Sequence, residues 1–444
     1  MANHDEDAIT MAVAAARNCL SGQATPAVGG LFLATTTAPY LEKLNSSLVA
    51  AATNLGIDLM TMDCANSLRG VVTALRAALA TVDSGAAPNI LVAAADCRMG
   101  YPKSDQEQMF GDGAAAVLVD SQDLVAAYRG GCSVSSEMMD VWRREEDEFV
   151  HTWEGRFITQ KGYVEHMQRA VSGLLTQQGL EANAIAKFVL TAPDPRALKA
   201  LTSSLGLPAD KLEDHLLAQV GDCGAAHPLI LLVAALEKAS PGDLILLAAH
   251  GDGAEAMLFE ATERAGAPQA GTSVADYLAH KIPFHSYGKF LSYKGVFEAV
   301  PGEPFRLMPS ASVTWRDRDS IFRCHGSRCT DCGVVAFPVQ RICPSCGSKD
   351  AFQHQPLGHL QGEVFTFTLD NLAGRSDDPV VVQTVAELGQ DKIRFYGLMT
   401  DCIPAQVTVG MPVELTFRRF YDGAGMHNYF WKLKPVMGLL ERQK

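Results

Sequence analysis

Two kinds of apolar pattern alternate along the first part of the chain. NILVAAADC, AAAVLVD and DLILLAAH are short, dense apolar runs that predict strands. VVTALRAALATVD (Val71–Asp83) and PLILLVAALEKA (Pro228–Ala239) space their apolar side chains for one packed helical face. Strands alternating with such helices predict an α/β architecture with layered sheets. The phrase Gly-Asp-Gly-Ala occurs twice, from Gly111 and from Gly251, each time next to one apolar run and leading into another. A short internal duplication of a strand–turn–strand unit accounts for this. After Glu260 the pattern dissolves. ATERAGAPQAGTS reads as a linker, and the aromatic and basic stretch 276–322 as a connecting segment packed onto the first domain. From Val364 onward five short strand-like runs follow: FTFTLDNL, VVVQTVAEL, KIRFYGLMTD, MPVELTFRRF and NYFWKLKPV. Five strands with turn residues between them predict an OB-type barrel.

Length and charge narrow this picture. At 444 residues the chain is too long for one ordinary core. Fifty acidic against 37 basic residues give a net charge of −13, which opposes a general nucleic-acid role. FTFTLDNL also lacks the basic and aromatic interleaving of an oligonucleotide-binding barrel. No apolar run is long enough to cross a bilayer, so no membrane partner is expected. The opening MANHDEDAITMAVAAARNCL carries acids where a secretory signal carries bases. A cytoplasmic protein is expected, with most of its 11 cysteines reduced.

Four cysteines stand apart from the rest. Cys329, Cys332, Cys343 and Cys346 form C-x2-C-x10-C-x2-C, two knuckles that each present two thiolates to one tetrahedral ion. Gly333 and Gly347 follow the second cysteine of each knuckle, where the turn demands a positive φ. Four sulfurs leave no open position, so a structural Zn2+ is expected. Four unrelated free thiols are the alternative. Cys324 lies just upstream at the wrong spacing.

RCTDCGVVAFPVQRICPSCGS, EVFTFTLDNLA, VGMPVELTFRRF and HNYFWKLKP, over residues 320–437, resemble a family in which a zinc ribbon precedes an OB-fold and accompanies thiolase-type enzymes. The resemblance implies a module that docks acyl-CoA enzymes, here fused to its partner. LATTTAPYL (Leu33–Leu41), DCANSLRGVVTAL (Asp63–Leu75), QMFGDGAAAVLV (Gln108–Val119) and VGDCGAAHP (Val220–Pro228) resemble the ketosynthase III and hydroxymethylglutaryl-CoA synthase branch of the thiolase superfamily. DVWRREEDEFVHTWEGRF (Asp140–Phe157) leans toward the synthase. That family implies a five-layer α/β/α/β/α sandwich, an acyl-CoA substrate and a homodimer. Its usual opening strand is absent here, so the first sheet is expected to lack an edge. The domains then run 1–262 (thiolase-like), 263–322 (linker and packing segment), 323–350 (zinc ribbon) and 351–444 (OB-fold).

Condensation in this superfamily uses a cysteine at a helix N-terminus, where the dipole and amides lower the thiol pKa. The resemblance places Leu68 at the nucleophile, Ala192 at the usual histidine and Asp222 at the usual asparagine. A leucine cannot form a thioester. Cys64 and Cys223 are the candidate substitutes, with a buried apolar role as the alternative for Cys64 and the adjacent Asp222 raising the pKa of Cys223. Asp222 and His227 form the candidate base pair, and His250 assists at the thioester oxygen. A packing or capping role is the alternative for either histidine. Arg69 is a candidate coenzyme A contact, or else a surface ion pair. Asp112 and Asp252 tie down their glycine-rich turns. The expected activity is carbon–carbon bond chemistry on an acyl-CoA without a cysteine intermediate, retro-aldol or decarboxylative. The alternative is a catalytically silent acyl-CoA-binding scaffold that docks a partner thiolase. A synthase acting through Cys64 or Cys223 is the third reading.

Overall fold

The structure, a computed structural model, describes residues 1–22, 28–267, 270–297, 309–375 and 377–437. Parts of the expected linker (268–269) and connecting segment (298–308) lie outside these. The chain divides into two units: Met1–Ala2, Asp7–Ala50 and Leu55–Ala279 form the first, and Asn3–Glu6, Ala51–Asn54 and His280–Lys444 the second.

The first unit holds two four-stranded sheets. One contains β1 (Gly30–Thr35), β2 (Met60–Ala65), β3 (Asn89–Cys97) and β4 (Asp112–Asp120), in the order β2-β1-β3-β4. β2, β1 and β3 run parallel and β4 returns antiparallel. β1 pairs directly with β3 from Leu31↔Leu91 to Ala34↔Ala94, so this sheet has no gap inside it. The other contains β5 (Ala126–Ser135), β6 (Lys187–Leu190), β7 (Leu244–His250) and β8 (Gly253–Ala261), in the order β5-β8-β7-β6. Here β6 and β7 are parallel, whereas β8 is antiparallel to both neighbours. The duplicated phrase thus opens the antiparallel strand in each sheet, β4 after β3 and β8 after β7. Residues 98–111 intervene in the first case. In the second, Gly251 and Asp252 alone make the turn.

Helices fill the spaces beside the sheets. α1 (Ala8–Cys19) opens on a capping box, with Asp7 accepting from the Thr10 amide and Thr10 Oγ1 contacting the Asp7 amide. It packs on β3 and β4. α2 (Asn45–Ala52) starts where Asp63 accepts from the Asn45 and Ser46 amides. α3 (Gly70–Asp83) and α6 (His227–Leu236) share one buried core with strands of both sheets, including Phe32, Val72, Leu75, Val92, Leu229, Leu232, Leu247 and Phe259. α4 (Glu165–Gln178) and α5 (Pro195–Leu205) form a second core with Phe188, Leu246, Ala256 and Leu258. β8 therefore sends Met257 and Phe259 to one core and Ala256 and Leu258 to the other, the period of two expected of a strand covered on both faces. The unit runs past Thr262 to Ala279. Asn18 holds Thr272 through two hydrogen bonds, and Glu237 accepts from the Val274 amide.

The second unit contains a three-stranded sheet of β9 (His325–Cys329), β10 (Val335–Ala336) and β11 (Phe352–Pro356), in the order β10-β9-β11. A closed five-stranded barrel follows: β12 (Gln361–Asp370), β13 (Val381–Leu388), β14 (Ile393–Met399), β15 (Pro412–Gly423) and β16 (Met426–Pro435). Its order is β12-β13-β14-β16-β15, closing back to β12, with one parallel pairing between β14 and β16. All five sequence runs became its strands. Alternate residues of β13 and β14 are buried, among them Val382, Ala386, Leu388, Ile393 and Phe395, as are Phe417 and Trp431, whose rings meet edge-on. The described part of residues 280–322, expected to pack onto the first domain, instead clusters with the barrel unit. Polar anchors account for this: Tyr293 Oη donates to Asp378 at 2.6 Å, Arg375 to Ser292 Oγ at 2.8 Å, and Trp431 Nε1 to the Phe322 carbonyl at 3.2 Å. No described helix is long and apolar enough to cross a membrane.

Candidate functional site

The two copies of Gly-Asp-Gly pack crosswise onto the loops that lead into α3 and α6. A Cβ at Gly111 would meet the Val220 carbonyl oxygen, and the Gly111 amide donates to the Asp222 carbonyl at 3.0 Å. A Cβ at Gly251 would lie 2.9 Å from both the Arg69 nitrogen and Ser67 Oγ. Each turn thus seats the helix-entry loop contributed by the other half of the duplication, and a side chain at either glycine would force backbone apart. α3 and α6 both start without a side-chain cap.

At the α6 loop, Asp222 accepts from Arg98 Nη1 at 2.9 Å through one oxygen and from the Gly224 amide at 2.9 Å through the other. Arg98 is itself buried, its guanidinium 4.1 Å from the Phe110 ring centre. Beside them, Asp96 is fully buried and accepts from the hydroxyls of Thr35, Thr36 and Thr37 and from the amides of Thr36, Thr37 and Ala225. This joins the end of β1 to the α6 loop. Neither the threonine run nor Asp96 carries a spacing signal that assigns it this role from sequence. Burial, then the Asp222 charge, pushes the Cys223 thiol far up. His227 is buried, with Nε2 3.1 Å from the His215 carbonyl, and burial lowers its pKa.

At the α3 loop, Leu68 is half-buried between Ser67 and Arg69. The Arg69 guanidinium lies 3.3–3.4 Å from the carbonyls of Val134, Asp252 and Ala254, so backbone oxygens take up its hydrogens. Cys64 lies on β2, where burial and then Asp63 raise its pKa. Ala192 is buried in the second core, one residue after the Thr191 carbonyl that accepts from Tyr163 Oη at 2.8 Å.

His250 adjoins this loop at the end of β7. Its ring stacks on His166, with centres 5.8 Å apart, and meets Tyr163 edge-on. Nδ1 lies 3.7 Å from Asp140 Oδ2. Burial, reinforced by His166 and Arg69, pushes its pKa down to about 4. His250 Nε2, His166 Nδ1 and Ser67 Oγ are buried atoms with no hydrogen-bond partner among the described residues. Apart from Cys64, which stands on β2, the expected set therefore falls into two groups. Asp222, Cys223 and His227 lie at the α6 loop, and Arg69 and His250 at the α3 loop. Among the described residues no hydrogen bond, ion pair or ring contact joins His250 to Asp222 or His227. Sequence reasoning missed Ser67 and His166, because an isolated serine and a single histidine on a helix carry no spacing signal.

In the second unit, the sulfurs of Cys329, Cys332, Cys343 and Cys346 all lie within 4.8 Å of one another. The Cys329–Cys346 and Cys332–Cys343 separations are 3.7 and 3.5 Å, near the ~3.8 Å edge of a tetrahedron with 2.3 Å metal–sulfur bonds. The knuckles repeat one geometry. Gly333 and Gly347 both have φ +76°, and their amides donate to the Cys329 and Cys343 carbonyls at 3.0 Å. Hydrogen bonds from Ser348 hold Cys346 down at about 6, which favours its thiolate. The donor set fits a thiophilic ion.

Comparison with known proteins follows the first unit. Residues 62–137 match the 3-oxoacyl-[acyl-carrier-protein] synthase III model, and residues 175–260 match the model of its C-terminal part. The hydroxymethylglutaryl-CoA synthase of Pyrococcus furiosus is 30% identical over 260 residues, 57% of this chain and 74% of that protein. The Methanopyrus kandleri synthase is 28% identical over 295 residues, 65% of this chain and 84% of that protein. A hydroxymethylglutaryl-CoA synthase solved with CoA has the same fold, with TM-score 0.59, 19% identity, and coverage of 70% of this chain and 83% of that one. So does synthase III of Thermus thermophilus, with TM-score 0.53, 21% identity, and coverage of 59% and 86%. The chain belongs to the thiolase-like superfamily of synthase III and hydroxymethylglutaryl-CoA synthase.

Proposed function

We propose that the first unit binds an acyl-CoA thioester and makes or breaks a carbon–carbon bond without a cysteine-bound intermediate. One observation carries the second half of this reading. The loop entering α3 presents Ser67, Leu68 and Arg69, while the candidate substitutes Cys64 and Cys223 have thiols pushed up by burial and by neighbouring carboxylates. A thiol in that condition is a poor nucleophile. The acyl-CoA half rests on the relatives, named as hydroxymethylglutaryl-CoA synthases, and on the similar fold solved with CoA. The chemistry needs a proton acceptor and a polarised thioester, not a covalent bond to the protein. Asp222 and His227 remain the candidates at the α6 loop and His250 the candidate at the α3 loop, with Arg69 as a positioning residue for the His250 turn.

The shared core of α3 and α6, with α1 on one sheet and α4 and α5 on the other, supports a five-layer arrangement. In the second unit, the four sulfurs support a structural Zn2+ and the closed barrel an OB-type fold. Such a module would dock acyl-CoA enzymes, and the family resemblance supports a homodimer.

Intact-protein mass spectrometry after mixing with acetyl-, acetoacetyl- and propionyl-CoA tests the reading, alongside analysis of the CoA products. No acyl increment, together with formation or cleavage of an acyl chain, is the expected result. An increment lost in Cys64→Ala or Cys223→Ala overturns it. Binding with no product in any mixture favours a scaffold that presents acyl-CoA to a partner thiolase.

A further inference from the structure

The four-cysteine cluster of the second unit is uneven in a way that its spacing does not disclose. Cys329 and Cys343, the first cysteine of each knuckle, are buried, whereas Cys332 and Cys346, the second of each, are exposed. The backbone explains the difference. Cys329 ends β9, where it is paired with Phe352 of β11. The Cys343 amide donates to the Ser348 carbonyl at 2.9 Å, beside a bridge between Ile342 and Lys349. Both first cysteines are thereby held within the ribbon. The glycine after each second cysteine folds its amide back to the carbonyl of the first, which leaves the second cysteine at the outer tip of the turn. The tips are open: residues 330–334 are all exposed, and so are residues 344–347.

This gives the metal site two faces. A tetrathiolate buried on all sides protects its ion, because no oxidant reaches sulfur before the fold opens. Here two of the four sulfurs can be reached in the folded protein. A thiolate bound to a metal remains oxidisable, and its susceptibility follows thiolate character and exposure. Losing two ligands of four removes the tetrahedral closure that holds the ion. The two exposed sulfurs also lie within 4.8 Å of each other, near enough for one tip to shift and bond the other once the ion has left.

We propose that Cys332 and Cys346 form a redox switch that releases zinc when hydrogen peroxide oxidises them to a disulfide, while Cys329 and Cys343 stay reduced. This rests on the zinc reading above and adds regulation to a structural site. One exposed thiolate attacks a peroxide oxygen, so that an S–O bond forms, the O–O bond breaks and hydroxide leaves. The other exposed thiolate then attacks that sulfur, so that the S–S bond forms, the S–O bond breaks and a second hydroxide leaves. Two electrons pass from the sulfurs to the peroxide, and two protons from solvent turn the hydroxides into water. A dithiol reductant returns both electrons and lets the ion bind again.

Titration of the full zinc-loaded chain with hydrogen peroxide tests it. Released metal is read with a chromogenic chelator, and each cysteine by differential alkylation and peptide mass spectrometry. The bound zinc should be lost in full, and a cross-link between Cys332 and Cys346 should appear in step with that loss. Cys329 and Cys343 should remain open to alkylation. Dithiothreitol with added zinc should then restore the bound metal. Zinc retained throughout the titration overturns the switch and leaves the zinc reading intact. Release accompanied by a cross-link through Cys329 or Cys343 overturns the assignment to the exposed pair. Release that dithiothreitol and zinc do not reverse shows damage in place of a switch and overturns it. A chain that holds no zinc as purified and takes none up overturns both readings together.

Discussion

His250 shows how one side chain's setting decides its chemistry. In the sequence it is a histidine at the mouth of a glycine turn, equally suited to packing or to catalysis. In the fold it is pressed between Tyr163, His166 and Asp140, and burial holds its pKa at about 4 against 6.5 in an open chain. Between those values the unfolded chain takes up a proton that the folded chain refuses. Its contribution to stability is therefore complete above pH 6.5 and is lost as pH falls toward 4, amounting to about 3 kcal/mol at most. Urea titrations at pH 7.5 and 4.5 should show a smaller loss in His250→Phe than in the wild type. An equal loss in both would assign the effect to other groups. His166 and Asp140 were invisible as neighbours of this histidine, since they lie far from it along the chain and no spacing rule links them.

At the level of elements, the two cysteine knuckles were fully legible. Each is a local turn whose geometry follows from C-x2-C-G, and Gly333 and Gly347 share φ +76° as that turn requires. One zinc per chain is expected by elemental analysis. Its removal with a strong chelator should lower the melting temperature of the ribbon and expose four additional reactive thiols. Four thiols that react freely in the untreated protein, with no bound metal, would remove the ion from the account. The Gly-Asp-Gly duplication was equally readable as a repeat, and both copies open an antiparallel strand. Its purpose was not readable. Each copy packs on the loop entering a helix of the other half, with Gly111 against Val220 and Gly251 against Ser67 and Arg69, and only the assembled sheets bring those pairs together.

The chain as a whole is not partitioned in sequence order. Residues Asn3–Glu6 belong to the barrel unit, although the segments on either side of them, Met1–Ala2 and Asp7–Ala50, belong to the first unit. Asp5, Glu6 and Asp401 surround the buried Arg418, and Asp5 also meets Lys432 at 2.8 Å. Burial pushes Asp5 up, but Arg418 and Lys432 outweigh it and hold the carboxyl at about 2. That stability is present above about pH 4 and is lost as pH falls toward 2. Removing one member of such a network strands the rest. Arg418→Met should cost about 3–5 kcal/mol, read as a lower urea midpoint for the barrel unit. An unchanged midpoint would show that the acids do not depend on the arginine.

Apolar periodicity by itself determined the α/β character of the first part, the five barrel strands and the presence of a repeat, because each depends on neighbours within a few residues. Local spacing likewise determined the two cysteine knuckles. The acids of HDED could be read only as a feature of the amino terminus. Their role as counter-ions to Arg418 arises from contacts spanning almost the whole chain. The same holds for Asp222, proposed as a base from its motif and found with both oxygens engaged by Arg98 and Gly224. Tertiary structure alone decided which polar groups were satisfied and which were left open, since hydrogen bonds in a buried site are made between segments that only folding brings together.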